Sequence, residues 1–243
     1  MFRESLWRAK EALVRFLVRR GYADALHTRL QQQLAGATLV LDVGANDGQY
    51  ARLCRRLGFR GRLISFEPQP HLFQGIAQQA ARDGRWQAVP CALGAEEGTL
   101  PLNVMREDVF SSFLKPSAFG QAAFRESTMI ERVITVPLRR LDAVVTELRL
   151  DVAAERGIHL KTDTQGFDIQ VMRGAVDTLK HVASIQCELS MQAIYQGQQL
   201  WMETAAEIEG HGFSLAGLFA VARDRQQRII EADALFTRPA SPH

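Results

Sequence analysis

Three acidic residues stand where an apolar run gives way to a turn: Asp42 after Thr38–Leu41, Glu67 after Arg62–Phe66, and Asp163 after Ile158–Thr162. In a parallel sheet all three point into one crevice at the carboxyl edge, where open α/β sheets bind ligands. Gly44 and Gly48 follow Asp42 in a G-x-x-x-G spacing that lets a ligand approach the backbone. The loop lacks the Lys–Ser/Thr ending of a phosphate loop and the G-x-G-x-x-G of dinucleotide binders. An acid just ahead of it would repel a pyrophosphate and would pair with a cationic, amino-acid-like ligand. Glu67 can accept both hydroxyls of a ribose, a device shared with NAD sites, so the first loop must argue against NAD. Cys91–Ala92–Leu93 offers backbone groups and an apolar edge to a purine. Near the fourth strand, Asp163, Asp168 and Glu188 are candidate general bases. Lys161 could stabilise an alkoxide, or act as base if its pKa were depressed. The same three acids could instead hold Mg²⁺ through oxygen.

The elements that must position these groups alternate. Strands are expected near Thr38–Asp42, Arg62–Glu67, Trp86–Cys91, Ile158–Asp163 and Ser184–Glu188. Helices are expected near Gln49–Leu57, His71–Arg82, Leu141–Leu148, Asp168–Leu179 and Trp201–His211. That rhythm predicts a parallel sheet with right-handed crossovers and helices on both faces. Phe213–Phe219 and Ala234–Thr237 suggest a terminal antiparallel pair joined through Arg223–Arg228. Residues 92–136 break the rhythm and read as an inserted loop with strand-like pieces at Gly98–Val104 and Arg132–Val136. Within it, Phe110–Thr128 reads as a mobile, partly ordered cover whose Ser111 and Ser112 could touch a substrate. Tyr195 and Trp201 offer either stacking faces for a sugar ring or packing anchors. His159 reads as a core or edge residue.

LDVGANDGQY, ISFEPQP, the CALG step, LRRLDAVV and HLKTDTQGFDIQVMRGA occur in that order. Together they resemble the FkbM family of S-adenosylmethionine (SAM)-dependent methyltransferases, from about Leu39 to Ser190. The K-x-D-x-[EQ]-G-x-[DE]-x-x-V-x-x-G-A stretch is the most distinctive piece. The resemblance implies an α/β, Rossmann-like class I fold: a mostly parallel seven-stranded sheet in the order 3-2-1-4-5-7-6 with strand 7 antiparallel. It implies O-methylation of sugars, glycans or natural-product alcohols. It implies a SAM pocket made by Asp42, Gly44, Ala45, Asn46, Gly48 and Tyr50, then Glu67 and Pro68, then Cys91 and Ala92, with Gln165. Lys161, Asp163 and Asp168 would serve the reacting side. The family often has Glu where Gln165 stands, which bears on any scheme needing a carboxylate there. A catalytically inert SAM-fold scaffold is the alternative of another class.

The remaining composition bounds partners. The chain has 243 residues and a formal net charge of +2, which gives no global reason to expect nucleic acid. Three cysteines, Cys54, Cys91 and Cys187, have no C-x-x-C spacing and suggest reduced thiols in a cytoplasmic protein. No apolar run is long enough to cross a bilayer. Residues 1–35 read as a helical extension. Arg3, Arg8, Lys10, Arg15, Arg19 and Arg20 give its first helix a basic face, suited to solvent, to a partner subunit in an oligomer, or to an anionic membrane surface. Residues 36–238 then form the main domain, and 239–243 a disordered tail.

Overall fold

The computed structural model describes residues 25–238. The basic face of residues 1–20 and the 239–243 tail lie outside them. A helix, α1, occupies 25–35 and buries Leu30 and Leu34. Ten strands follow: β1 Leu39–Val43, β2 Arg62–Phe66, β3 Trp86–Val89, β4 Ala92–Leu93, β5 Gly98–Met105, β6 Ile130–Arg139, β7 Ile158–Thr162, β8 Val182–Ser190, β9 Ser214–Arg223 and β10 Ile229–Thr237. Seven of them form one sheet in the order β3-β2-β1-β7-β8-β10-β9. β10 runs antiparallel to both β8 and β9, while β2, β1, β7 and β8 pair in parallel. This is the class I methyltransferase order.

The central strands are buried along nearly their whole length because both faces are covered. On one face α1, α2 (Gln49–Arg56) and α3 (Pro70–Asp83) pack Leu30, Ala51, Cys54, Ile76 and Ala80 against Val40 and Leu63. On the other, α5 (Leu141–Glu147), α6 (Asp168–Arg173), α7 (Val176–Leu179) and α8 (Trp201–Gly210) cover Leu39, Leu41, Leu160 and Ile185. Cys54, Cys91 and Cys187 are buried and free. No described helix is long and apolar enough to cross a membrane.

Residues 92–136 hold a second, small sheet, and the strand-like pieces expected at Gly98–Val104 and Arg132–Val136 are its two long strands. β5 and β6 form an antiparallel ribbon, and β4 adds to β6 in parallel, giving the order β4-β6-β5. Leu102, Val136 and Leu138 pack with Ala92 into a small core of the sheet's own, while Asn103 and Met105 on the alternate positions of β5 are buried by the chain that follows. The expected mobile cover carries a helix, α4 (Ala118–Phe124), whose Ser117 hydroxyl caps it by accepting from the Gly120 N–H at 3.0 Å. Phe110, Phe119 and Phe124 are not exposed aromatics; they pack on Met105, Ile194, Tyr195 and Ile230.

Candidate functional site

The carboxyl ends of β1, β2 and β7 meet at a cavity that opens to solvent. Parallel register aligns Asp42 with Ser65 on one side and with Lys161 on the other. The turn after β1 is fixed by Gly44 and Gly48, both in the left-handed region at φ 74° and 86°. A Cβ on Gly44 would collide with the Asp163 carbonyl oxygen, and one on Gly48 would lie 2.7 Å from the Trp86 ring. The glycines therefore let the first loop close against β7 and β3.

Glu67 lies in the cavity wall and is only 4% exposed. Its two carboxylate oxygens accept the Asn46 and Gln69 backbone N–H groups, each at 2.8 Å. Each oxygen keeps a lone pair for a further donor. Burial pushes the carboxyl up to about 7, against the pull of those two N–H groups. Gln69 Oε1 is buried in the same wall with no hydrogen-bond partner.

Asp163 supplies the opposite wall. Its Oδ1 accepts from Gln165 Nε2 at 2.9 Å, and its Oδ2 lies 3.6 Å from Lys161 Nζ. Gln165 reaches further: Nε2 also donates to Glu188 Oε2 at 3.1 Å, and Oε1 faces the Tyr195 hydroxyl at 2.8 Å. Its backbone carbonyl accepts from Ser112 Oγ at 2.7 Å. Ser112 is thus a structural clamp, whereas Ser111 does line the cavity. Tyr195 is fully buried and cannot stack on a sugar.

Of the residues expected around a ligand, Gly44, Asn46, Glu67, Pro68, Cys91, Ala92, Asp163 and Gln165 line the cavity. Asp42, Ala45, Gly48, Tyr50, Lys161 and Asp168 do not. Asp42 is fully buried below the cavity, accepting from Ser65 Oγ at 2.9 Å with Lys161 Nζ at 3.4 Å. Tyr50 turns into the sheet. Its hydroxyl donates to Gln186 Oε1 at 2.9 Å and meets His159 Nε2 at 2.7 Å, while His159 Nδ1 meets Ser184 Oγ at 2.7 Å. Since the phenol proton goes to Gln186, His159 carries its proton on Nε2 and accepts from Ser184. Burial pushes that imidazole down to about 3, so it is a neutral core residue.

Lys161 is a fixed cation. Burial opposes its charge, but the carboxylates of Asp163 and Asp42 outweigh burial and hold the ammonium above the ordinary lysine range. Its Nζ also donates to the Gly44 carbonyl at 3.0 Å. The depressed lysine that would serve as a base is therefore not found. Asp168 begins α6 and lines a separate, small polar crevice with Glu188, Ser190 and Gln198. Burial raises the carboxyls of Asp168 and Glu188. The Mg²⁺ reading loses its ligands: among the described residues no three His, Cys, Asp or Glu side chains are grouped to hold a metal ion.

Residues that sequence reasoning did not place include Gln49, Gln69, Asp108, Val109 and Phe113, all in the cavity wall. Gln69 sits inside the quoted ISFEPQP segment. Asp108, Val109 and Phe113 belong to the stretch read as loop, where no periodicity pointed inward.

The match to the methyltransferase FkbM domain spans residues 42–215. Methyltransferase sdnD of Sordaria araneosa is 27% identical over 153 residues, 56% of this chain and 59% of that protein. 2-O-methyltransferase NoeI of Sinorhizobium fredii (strain NBRC 101917 / NGR234) is 26% identical over 171 residues, 66% of each chain. The chain thus spans about three-fifths to two-thirds of the curated relatives it matches. The crystal structure of methyltransferase FkbM from Methylobacillus flagellatus KT superposes with a TM-score of 0.52 at 15% identity, over 83% of this chain and 44% of that one. With the strand order, the glycine-closed first loop and this match over most of its length, the chain belongs to the FkbM methyltransferase family.

Proposed function

We propose that this chain transfers the methyl group of SAM to a hydroxyl oxygen of a sugar, glycan or glycosylated metabolite. The observation that carries the reading is one cavity with Glu67 in one wall and the Asp163 carboxylate in the other. The donor fits that cavity chemically. Its charged lining groups are Glu67, Asp108 and Asp163, without a Lys, Arg or His. Gln69 Oε1 offers an unused buried acceptor to a donor group. Glu67 would take the ribose hydroxyls, Phe66, Ala92, Leu93 and Leu102 the adenine faces, and Gly44 and Asn46 the amino-acid end.

When bound, SAM supplies an already electrophilic sulfonium methyl. The chain's own work is alignment and removal of one proton. Asp163 is the proposed base, the one cavity-lining acid at the end of β7, and it accepts the hydroxyl proton as the oxygen attacks. Lys161, fixed beneath it, holds that carboxylate in place and offsets the charge developing nearby. The name of the Sinorhizobium relative supports oxygen as the methylated atom.

Calorimetry with S-adenosylhomocysteine comes first, followed by a mass-spectrometric screen of oligosaccharides, nucleotide sugars and aglycones. The expected result is binding and a gain of one methyl on an oxygen. Asp163→Asn should keep the binding and lose turnover. No binding would refute the SAM site; binding with no transfer to any acceptor would favour the scaffold alternative.

A further inference from the structure

The Gln165 amide lies between two carboxylates that belong to different strands. Its two N–H bonds point at Asp163 Oδ1 (2.9 Å) and Glu188 Oε2 (3.1 Å). The amide cannot rotate away. Tyr195 Oη lies 2.8 Å from Oε1, Ser112 holds the backbone carbonyl, and the residue itself sits at φ 52° in the left-handed region. That conformation is uncommon for a residue with a side chain and marks a position held by its surroundings. Two facing acids at a buried strand edge are held together by a proton, a neutral hydrogen-bond donor or a cation, and in oxygen-ligand sites a divalent cation takes that place.

We propose that Gln165 is a positioning residue whose neutral amide bridges Asp163 and Glu188 in the place a divalent cation would otherwise take. The catalytic half of this rests on the function proposed above; the metal half does not. With Oδ1 tied to Gln165 and Oδ2 3.6 Å from Lys161 Nζ, the Asp163 carboxylate is held from both sides. Tyr195 is the outer support: its buried hydroxyl lies 2.8 Å from both Gln165 Oε1 and the Phe110 carbonyl and closes the outer end of the amide. The geometry also makes a structural statement: replacing the amide by a third carboxylate would build a site for a hard cation from Asp163, Glu188 and the new group.

Mn²⁺ serves as the spin probe on the full chain, read by electron paramagnetic resonance without any acceptor. The wild type should leave Mn²⁺ free at millimolar concentration. Gln165→Glu should bind it, and Gln165→Glu combined with Glu188→Gln should lose it again. Separately, Gln165→Met keeps the length and removes the amide. It should lower kcat by about 100-fold, the cost of a misplaced catalytic group, with the KM for SAM unchanged. Mn²⁺ held by the wild type at this site, a folded Gln165→Glu that binds none, or a Gln165→Met with normal kcat would each overturn the proposal. If Gln165→Glu fails to fold, Gln165→Met decides; if no acceptor is methylated, the Mn²⁺ titration decides. Absence of S-adenosylhomocysteine binding would strike the proposed function alone.

Discussion

Lys161→Met removes the buried cation that, among the described residues, pairs with both Asp42 and Asp163, and leaves the side chain's shape nearly unchanged. In the native protein Nζ sits 3.4 Å from Asp42 Oδ1 and 3.6 Å from Asp163 Oδ2, and donates to the Gly44 carbonyl. Asp42 is wholly buried, and its Oδ1 has no other partner than this ammonium. Breaking a buried pair from one side costs about 3–5 kcal/mol, because the other charge stays behind. For a chain of this size each kcal/mol shifts Tm by roughly 2–4 °C, so a fall of about 6–20 °C is expected. Asp42 limits the damage by taking up a proton: burial already raises its carboxyl, and Lys161 is the main group pulling it down. The loss should therefore grow as the pH rises and Asp42→Asn should rescue much of it. The assay is a double-mutant cycle by chemical denaturation over Lys161→Met and Asp42→Asn. A coupling energy within about 0.5 kcal/mol of zero would refute the pairing, since additive effects belong to independent sites.

Three further outcomes follow from single contacts. Gly44→Ala must move β7 or leave φ 74°, because its Cβ would strike the Asp163 carbonyl; it should abolish S-adenosylhomocysteine binding and lower Tm, whereas normal binding would remove the close approach from the site. Glu67, raised to about 7 from 4.5, binds more protons in the folded state, so its contribution to apoprotein stability is full below about pH 4.5 and lost as pH rises through about 7. Ribose hydroxyls need the ionised form, so affinity for S-adenosylhomocysteine should rise about tenfold between about pH 6 and 8, and Glu67→Gln should flatten both curves. Tyr50→Phe leaves His159 and Gln186 without their shared partner and should cost about 1–3 kcal/mol while ligand affinity stays put; a lost affinity would return Tyr50 to the pocket.

The sheet was legible because apolar-rich segments ending at Asp42, Glu67 and Asp163 alternate with segments of helical periodicity. Position along a strand, however, does not tell which way a side chain leaves it. Asp42 and Glu67 end successive strands, yet Asp42 faces Ser65 and Lys161 inside the sheet while Glu67 bends into the cavity. Asp42 lies within β1, in parallel register with both neighbours, whereas Glu67 stands one residue past β2, where the chain is free to turn. Tyr50 was misplaced for a related reason. It opens the helix after the glycine loop, but the helical turn directs its ring onto β7 rather than toward the loop. The two long strands of the small sheet are legible as strand-like pieces at Gly98–Val104 and Arg132–Val136; their pairing and the short β4 are not, because Pro101 and Pro137 interrupt the strand signal although both are accommodated in the exposed ribbon.

The cavity's charge gives the separate observations one direction. Its lining acids are Glu67, Asp108 and Asp163, and Lys161, the nearby cation, is turned away from it and neutralised by Asp42. SAM carries an ammonium, a carboxylate and a sulfonium, for a net charge of +1; S-adenosylhomocysteine has lost the sulfonium and is neutral. A wall of carboxylates therefore attracts the donor more than its product, by an electrostatic term that acts through the same groups proposed to bind and react. The acid that takes the hydroxyl proton becomes neutral as the sulfonium charge disappears, so the two changes are matched within one cavity. This is also why the cation belonging to Lys161 is better buried beneath Asp163 than exposed beside it. In the cavity it would repel the donor, whereas below the wall it would fix the proposed base, Asp163, without facing the sulfonium.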